Sequence, residues 1–281
     1  GSASQTNLGN IFAGTVTLTQ PNTFLNVGYQ LGNTTTAAVT FAGNIVANGG
    51  TGTITKVGPG ALFLHAWNQT ADSQVAAWVV SGGNFDVRAA GGMFNMLGAN
   101  ATLTLNDVSL NTRYDGDGTE AYEVISTHAA NDVVVGSLAA ITSAGFIGSR
   151  NVTIDNRAFN SGTQALNQGV SNKTVVFRDL AFGGALGSPY LTVQTGTVAN
   201  GWTGAYTHFR DLTMTRNAYL AIGSETTITG QISGNGTLYK QDGNLFFAGD
   251  SSAFLGGYVA NRGNTFFGSR AGQLITLSDT A

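Results

Sequence analysis

A chain of 281 residues with 12 basic and 15 acidic side chains and a net charge of −3 has no basic stripe, which excludes nucleic acid and anionic lipid as partners. It contains no cysteine, so disulfides and thiolate metal sites are excluded too. Forty glycines, three prolines and 10% charged residues leave too few Glu, Lys and Arg to dress the exposed faces of long helices, and the expectation is an all-β chain with few or no helices.

Short alternating apolar runs punctuated by Gly and Asn mark the strands. In chain order they are Thr15 to Thr19, Phe24 to Val27, Ala38 to Phe41, Ile54 to Lys56, Leu62 to Leu64, Trp78 to Val80 and Phe85 to Val87. The middle is less regular, over about 106–172. Thr102 to Leu105, Val152 to Ile154, Val175 to Phe177 and Tyr190 to Val193 alternate well there or beside it. Glu120 to Phe146, with its Val133-Val134-Val135 cluster, does not alternate and reads as a short helix or an excursion. The rhythm returns at Leu212 to Met214, Tyr219 to Ile222, Thr226 to Ile232, Leu238, Leu245 to Phe247, Phe266-Phe267 and Leu274 to Leu277. With 42% hydrophobic residues and no linker, residues 1–281 read as one domain. Neither a charged-then-apolar leader nor a run of 18 apolar residues occurs, so no membrane insertion is expected.

One stretch is written twice. Gly50 to Leu64, GTGTITKVGPGALFL, has a counterpart in Gly234 to Phe247, GNGTLYKQDGNLFF, which aligns Gly50 with Gly234, Gly52 with Gly236, Ile54 with Leu238 and Lys56 with Lys240. Each copy is followed by a polar loop and a glycine-led strand, Gly82-Gly83-Asn84-Phe85-Asp86-Val87 in one case and Arg262-Gly263-Asn264-Thr265-Phe266-Phe267 in the other. Repetition of this kind is the signature of stacked coils.

These segments resemble the autotransporter-associated β-strand repeat of secreted bacterial passenger proteins, G-x-G-x-L-x-K-x-G-x-G-x-L-x-L followed by G-G-x-L-x-V. The first copy fits closely, and the second departs at Asp242 and Asn244, where the family usually has glycine. About a third of the chain carries the resemblance. It implies a right-handed parallel β-helix displayed outside the cell, and it implies no catalytic residues and no cofactor. Coils of roughly 20 to 25 residues would give about 11 to 14 turns. At about 4.8 Å per turn the body would be roughly 50 to 65 Å long.

Candidate sites are few. Asp115, Asp117 and Glu120, with Asn111 and Glu123 nearby, concentrate hard oxygen ligands and form a calcium candidate. Glu120 stands where a helix-loop-helix calcium loop needs glycine, so the favoured reading is an Asp-Gly surface turn. Phe177-Arg178-Asp179-Leu180 echoes Phe209-Arg210-Asp211-Leu212. Glycoside hydrolysis needs paired carboxylates, but neighbours on a strand diverge unless a turn intervenes, and an Arg and Asp ladder at the coil corners is expected. His65, His128 and His208 share no metal-ligand spacing.

Aromatic residues are the best binding signal. Trp67, Trp202 and Tyr206 are candidate contacts for glycans, with Trp78, Tyr190 and Tyr258 behind them, and one ring of each pair Phe246-Phe247 and Phe266-Phe267 must face outward. The chain's ends show no polar cap, and a solenoid without one offers its last coil to another. Ile11, Leu274, Ile275 and Leu277 are therefore candidates for end-to-end self-association. The alternative is that the chain is a piece of a longer passenger. A non-catalytic extracellular fibre subunit is the leading functional expectation, followed by a glycan-binding adhesin and then by a polysaccharide lyase or hydrolase.

Overall fold

The computed structural model describes residues 9–28, 37–65, 69–90, 94–116, 124–125, 128–136, 151–160, 174–184, 188–195, 206–223 and 225–268. Every strand pairing among them is parallel, and each strand pairs with strands one coil before and after it. The chain is a β-solenoid. Its only helical turn among the described residues is the 3₁₀ segment Asn48–Gly50.

Three faces can be followed along the axis. The first is a ten-stranded ladder that runs from Asn10–Phe12 through Ala61–His65, Ser109–Gly116 and Ala218–Ile222 to Tyr258–Ala260. The second begins with Val16–Leu18 and Ile45–Ala47 and ends with Thr226–Ile228, Asn244–Phe247 and Asn264–Phe267. The third runs from Asn22–Asn26 through Thr53–Val57, Ala77–Ser81, Thr102–Asn106 and Asp132–Val135 to Ile232–Gly234 and Ala253–Phe254. Two long strands, Thr174–Phe182 and Tyr206–Met214, bend from the second face onto the third: residues 207–209 pair with Thr226–Ile228, and residues 212–214 pair with Ile232–Gly234.

The core is built of columns, since a residue facing inward in one coil sits on an inward residue of the next. On the second face Phe177, Phe209, Ile228, Phe247 and Phe267 stand in register. Phe177 and Phe209 stack at 5.6 Å, and His128 stacks on Phe177 from the other side. On the third face the column is Leu25, Lys56, Val80, Leu105, Val135, Phe182 and Met214. A lysine occupies a core position in an otherwise apolar stack.

Coil length is not uniform. Asn84 and Ser109 are register partners 25 residues apart, Asn151 and Tyr190 are 39 apart, and Ala218, Leu238 and Tyr258 follow one another at 20. Among the described residues the first face has ten rungs, and the middle coils are nearly twice as long as the last ones. The Val133-Val134-Val135 cluster, read from sequence as part of a helix or excursion, is the strand Asp132–Val135 with Val133 and Val135 buried in the core.

Candidate functional site: lysine-clipped corners and outer faces

Each copy of the repeat makes a corner. In the first, Thr53–Val57 on the third face turns through residues 58–60 into Ala61–His65 on the first. Lys56 is fully buried, and its Nζ donates to the Gly58 carbonyl of its own turn at 2.7 Å and to the Gly82 carbonyl of the next coil at 2.5 Å. In the second, Leu238–Gln241 on the first face turns through Asp242-Gly243 into Asn244–Phe247 on the second. Lys240 Nζ donates to Gly243 O at 2.6 Å and to Arg262 O of the next coil at 2.5 Å. In both corners the stem fills a core position while the ammonium reaches carbonyls of two successive turns, and Gly243 O also accepts from Asn264 N.

The glycine-led strands that follow each copy are explained by this contact. They are the same corner one coil later, and their glycines leave room for the ammonium. A Cβ on Gly83 would lie 2.7 Å from Lys56 Nζ, and one on Gly263 would lie 2.8 Å from Lys240 Nζ. Both glycines also have positive φ, +71° and +68°. Among the other repeat positions, Ile54 and Leu238 are fully buried, Gly50 closes the 3₁₀ turn, and Gly52 and Gly236 lie against the backbone of Ala47 and Arg216. Gly234 lies within the strand Ile232–Gly234.

Burial pushes the Lys56 ammonium down to about 8. Lys240 is lowered in the same way, with the Asp242 carboxylate acting against the shift.

The Arg and Asp echo forms a charged corner between the second and third faces. Asp179 and Asp211 are in register, one coil of 32 residues apart. Buried and outward positions stop alternating at residues 178–179, where the strand bends. Arg178 makes a two-pronged contact with Asp132, with Nε donating to Oδ1 at 2.6 Å and Nη2 to Oδ2. Arg210 Nη2 donates to Asp179 at 2.8 Å and its Nε to Asp211 at 3.0 Å. Burial pushes the Asp179 carboxyl up, while Arg210 pulls it back down. The ladder expected at a corner is therefore present, and its carboxylates are held by guanidinium groups.

Rings divide between core and surface. Trp78, named above among the aromatic residues of the binding signal, is fully buried, and its Nε1 donates to Leu97 O at 2.9 Å. Tyr258 also faces the core column, packed edge-on against Phe247. Phe246 and Phe266 point outward and stack at 4.4 Å, while Phe247 and Phe267 point inward, the division that alternation requires.

A tyrosine ladder on the outer side of the first face, Tyr190, Tyr219 and Tyr239, stacks at 5.8 and 4.9 Å. Sequence reading singled out only Tyr190 as a ring of interest, and register supplied the other two. Tyr206 is half-buried on the outer second face. Trp67, Trp202, Leu274, Ile275 and Leu277 lie outside the described residues, as do Asp117 and Glu120; Asp115 lies in the strand Ser109–Gly116. Among the described residues no group of three His, Asp or Glu is placed to hold a metal ion. Ile11 is 50% exposed on the first described strand.

Comparison with known proteins returns no matching family model, no similar curated protein and no similar solved structure.

Proposed function

We propose that this chain is a non-catalytic structural solenoid, exported and displayed at a bacterial surface, that stacks end to end with copies of itself into a filament. The observation that carries the reading is the state of the first and last described rungs. The strands Asn10–Phe12 and Asn264–Phe267 each pair on one side only among the described residues. Phe12 and Phe267, which belong to core columns, are 49% and 40% exposed there. A parallel rung has complementary edges, so the last rung of one copy is a template for the first rung of another, with the strand direction preserved.

A glycan-binding role would use ring faces. Tyr190, Tyr219 and Tyr239 turn their faces to one another, which leaves mainly ring edges toward solvent. A glycosidase role would use free carboxylates, and Asp132, Asp179 and Asp211 are engaged by Arg178 and Arg210.

Negative-stain electron microscopy across a concentration series tests the proposal. Filaments with an axial repeat near ten rungs, about 48 Å at the usual strand spacing, are expected. Short rods of one length at every concentration would overturn it.

A further inference from the structure

Every large apolar side chain that is exposed among the described residues lies in the first or the last coil, Ile11 and Phe12 at one end and Val259, Phe266 and Phe267 at the other among them. The backbone edges there have a definite phase, because in a parallel ladder the N–H and C=O of one residue point to one neighbouring strand and those of the next residue to the other. Ala42 N donates to Phe12 O at 2.9 Å, so Asn10 and Phe12 face the strand Ala38–Phe41 and Ile11 turns both its groups to the open side. Val16 N donates to Asn44 O at 2.8 Å, which leaves Thr17 on the open side in the same way. At the other end Leu238 N donates to Gly257 O at 2.8 Å and Asn261 N to Lys240 O at 2.9 Å, so Tyr258 and Ala260 face the open side. Asn264 N donates to Gly243 O at 3.0 Å and Gly268 N to Phe247 O at 2.8 Å, and Thr265 and Phe267 therefore do so too.

Resting on the end-to-end reading above, we propose that the solenoid continues across the junction in one register, with Asn10 of one copy opposite Tyr258 of the next, Phe12 opposite Ala260, Val16 opposite Thr265 and Leu18 opposite Phe267. In this register Ile11 N donates to Tyr258 O and Ala260 N donates to Ile11 O. On the second face Thr17 N donates to Thr265 O and Phe267 N to Thr17 O. A shift by one residue on either face loses these bonds and turns inward residues outward. The side chains agree with the backbone. Ile11 covers Val259, both of them exposed in the single copy, and extends the outer column of Tyr190, Tyr219, Tyr239 and Val259. Inside, Ala260 covers the ring of Phe12, and Leu18 covers that of Phe267. The corner from Phe12 to Val16 is one residue shorter than the corner from Ala260 to Thr265. The chain makes the same step itself, where Leu220 and Lys240 lie 20 apart and Thr226 and Leu245 lie 19 apart. Main-chain pairing supplies the affinity of such a strand addition, and the alternate side chains fix its register. The two edges differ, so the contact is heterologous and the filament has a direction.

Proline tests the phase of the edges. Ile11→Pro removes an N–H that points away from the strand Ala38–Phe41, a position where an edge strand tolerates proline, and Ala260→Pro does the same at the other end. Each variant alone should stay a single rod with the circular dichroism of the wild type. An equimolar mixture should reach twice that mass by light scattering and go no further. Filaments from either proline variant alone would overturn the register. The chain has no cysteine, and register partners on parallel strands lie about 4.8 Å apart, within reach of a disulfide. Ile11→Cys and Val259→Cys should each give no disulfide-linked species alone and a linked pair when mixed and oxidised. Wild-type filaments without that pair, or with a pair between Ile11→Cys and Gly257→Cys in its place, would overturn this register and leave end-to-end stacking intact. Neither filaments nor crosslinks would overturn both. Assembly that begins only when residues 269–281 are removed would overturn the proposal by giving the Tyr258–Ala260 edge to the chain's own C-terminal segment.

Discussion

The two lysine corners share a sequence word and differ in almost everything else. The Lys56 corner joins the third face to the first through a three-residue turn, whereas the Lys240 corner joins the first to the second through two residues. Lys56 has no carboxylate among the influences on its charge, while Lys240 has Asp242. Yet each ammonium bridges its own turn and the next. The motif therefore specifies a clipped corner and is indifferent to which corner it builds. The departures of the second copy from the repeat pattern, Asp242 and Asn244, lie in and just after the shortened turn, where Asp242 adopts positive φ.

The comparison breaks most severely if the clip is removed. Lys56→Ala should lower the local opening free energy of Thr53–Val57 by at least about 3–6 kcal/mol, from two charge-assisted hydrogen bonds of about 1.5–3 kcal/mol each, with the cavity left by the stem adding to the loss. Hydrogen exchange at that strand reads the loss, and Lys240→Ala should reproduce it at Leu238–Gln241. A loss confined to one corner would mean that the two clips are not equivalent.

Next in size is the space beneath the ammonium. Gly83→Ala would place a Cβ 2.4 Å from Gly60 O as well as against Lys56, and Gly263→Ala would place one 2.1 Å from Gly243 O. Each should cost about 2–4 kcal/mol from strained φ and displaced backbone. Thermal melts of the two variants should fall together.

The pH dependence sharpens the difference in charge environment. The folded pKa of Lys56, about 8, lies below its unfolded value of 10.5. The unfolded chain therefore binds more protons between these values, and stability should rise as pH increases from about 8 to about 10.5. The neutral amine keeps two N–H groups for its two carbonyls. Denaturant unfolding over that window should show the rise in the wild type and a flatter profile in Lys56→Met.

The smallest effect belongs to Asp242→Asn. Removing an exposed carboxylate should depress the Lys240 ammonium further and change stability by less than about 1 kcal/mol. An effect as large as that of Lys240→Ala would assign the corner's strength to the Asp242 charge, not to the carbonyls.

Much of this architecture was legible in the sequence because inward columns need alternation. Thr102–Asn106 and Ala218–Ile222 alternate and were found almost to the residue, and Ala38–Phe41 was found too, although its buried residues Thr40 and Phe41 are adjacent. Ser109–Gly116 was missed because its sequence after Leu110, NTRYDG, is mostly polar and ends in Asp-Gly, which reads as a loop. Lys56 and Lys240 were recognised as repeat positions, but a lysine in an apolar run reads as a solvent-facing residue, and only register shows it inside the core. The Arg and Asp ladder was expected at a corner, but no turn residue marks where the strand bends. The run Val175 to Phe182 is continuous in sequence, and the bend shows only as the break in burial at residues 178–179. The tyrosine ladder depends on coil lengths of 29 and then 20 residues, which no fixed period would align.

The most direct test of the account is hydrogen exchange at the two end rungs as a function of protein concentration. End-to-end stacking predicts that peptides covering Asn10–Phe12 and Asn264–Phe267 gain protection together as concentration rises, while Thr102–Asn106 in the interior stays constant. End rungs that exchange at the same rate at every concentration would contradict it.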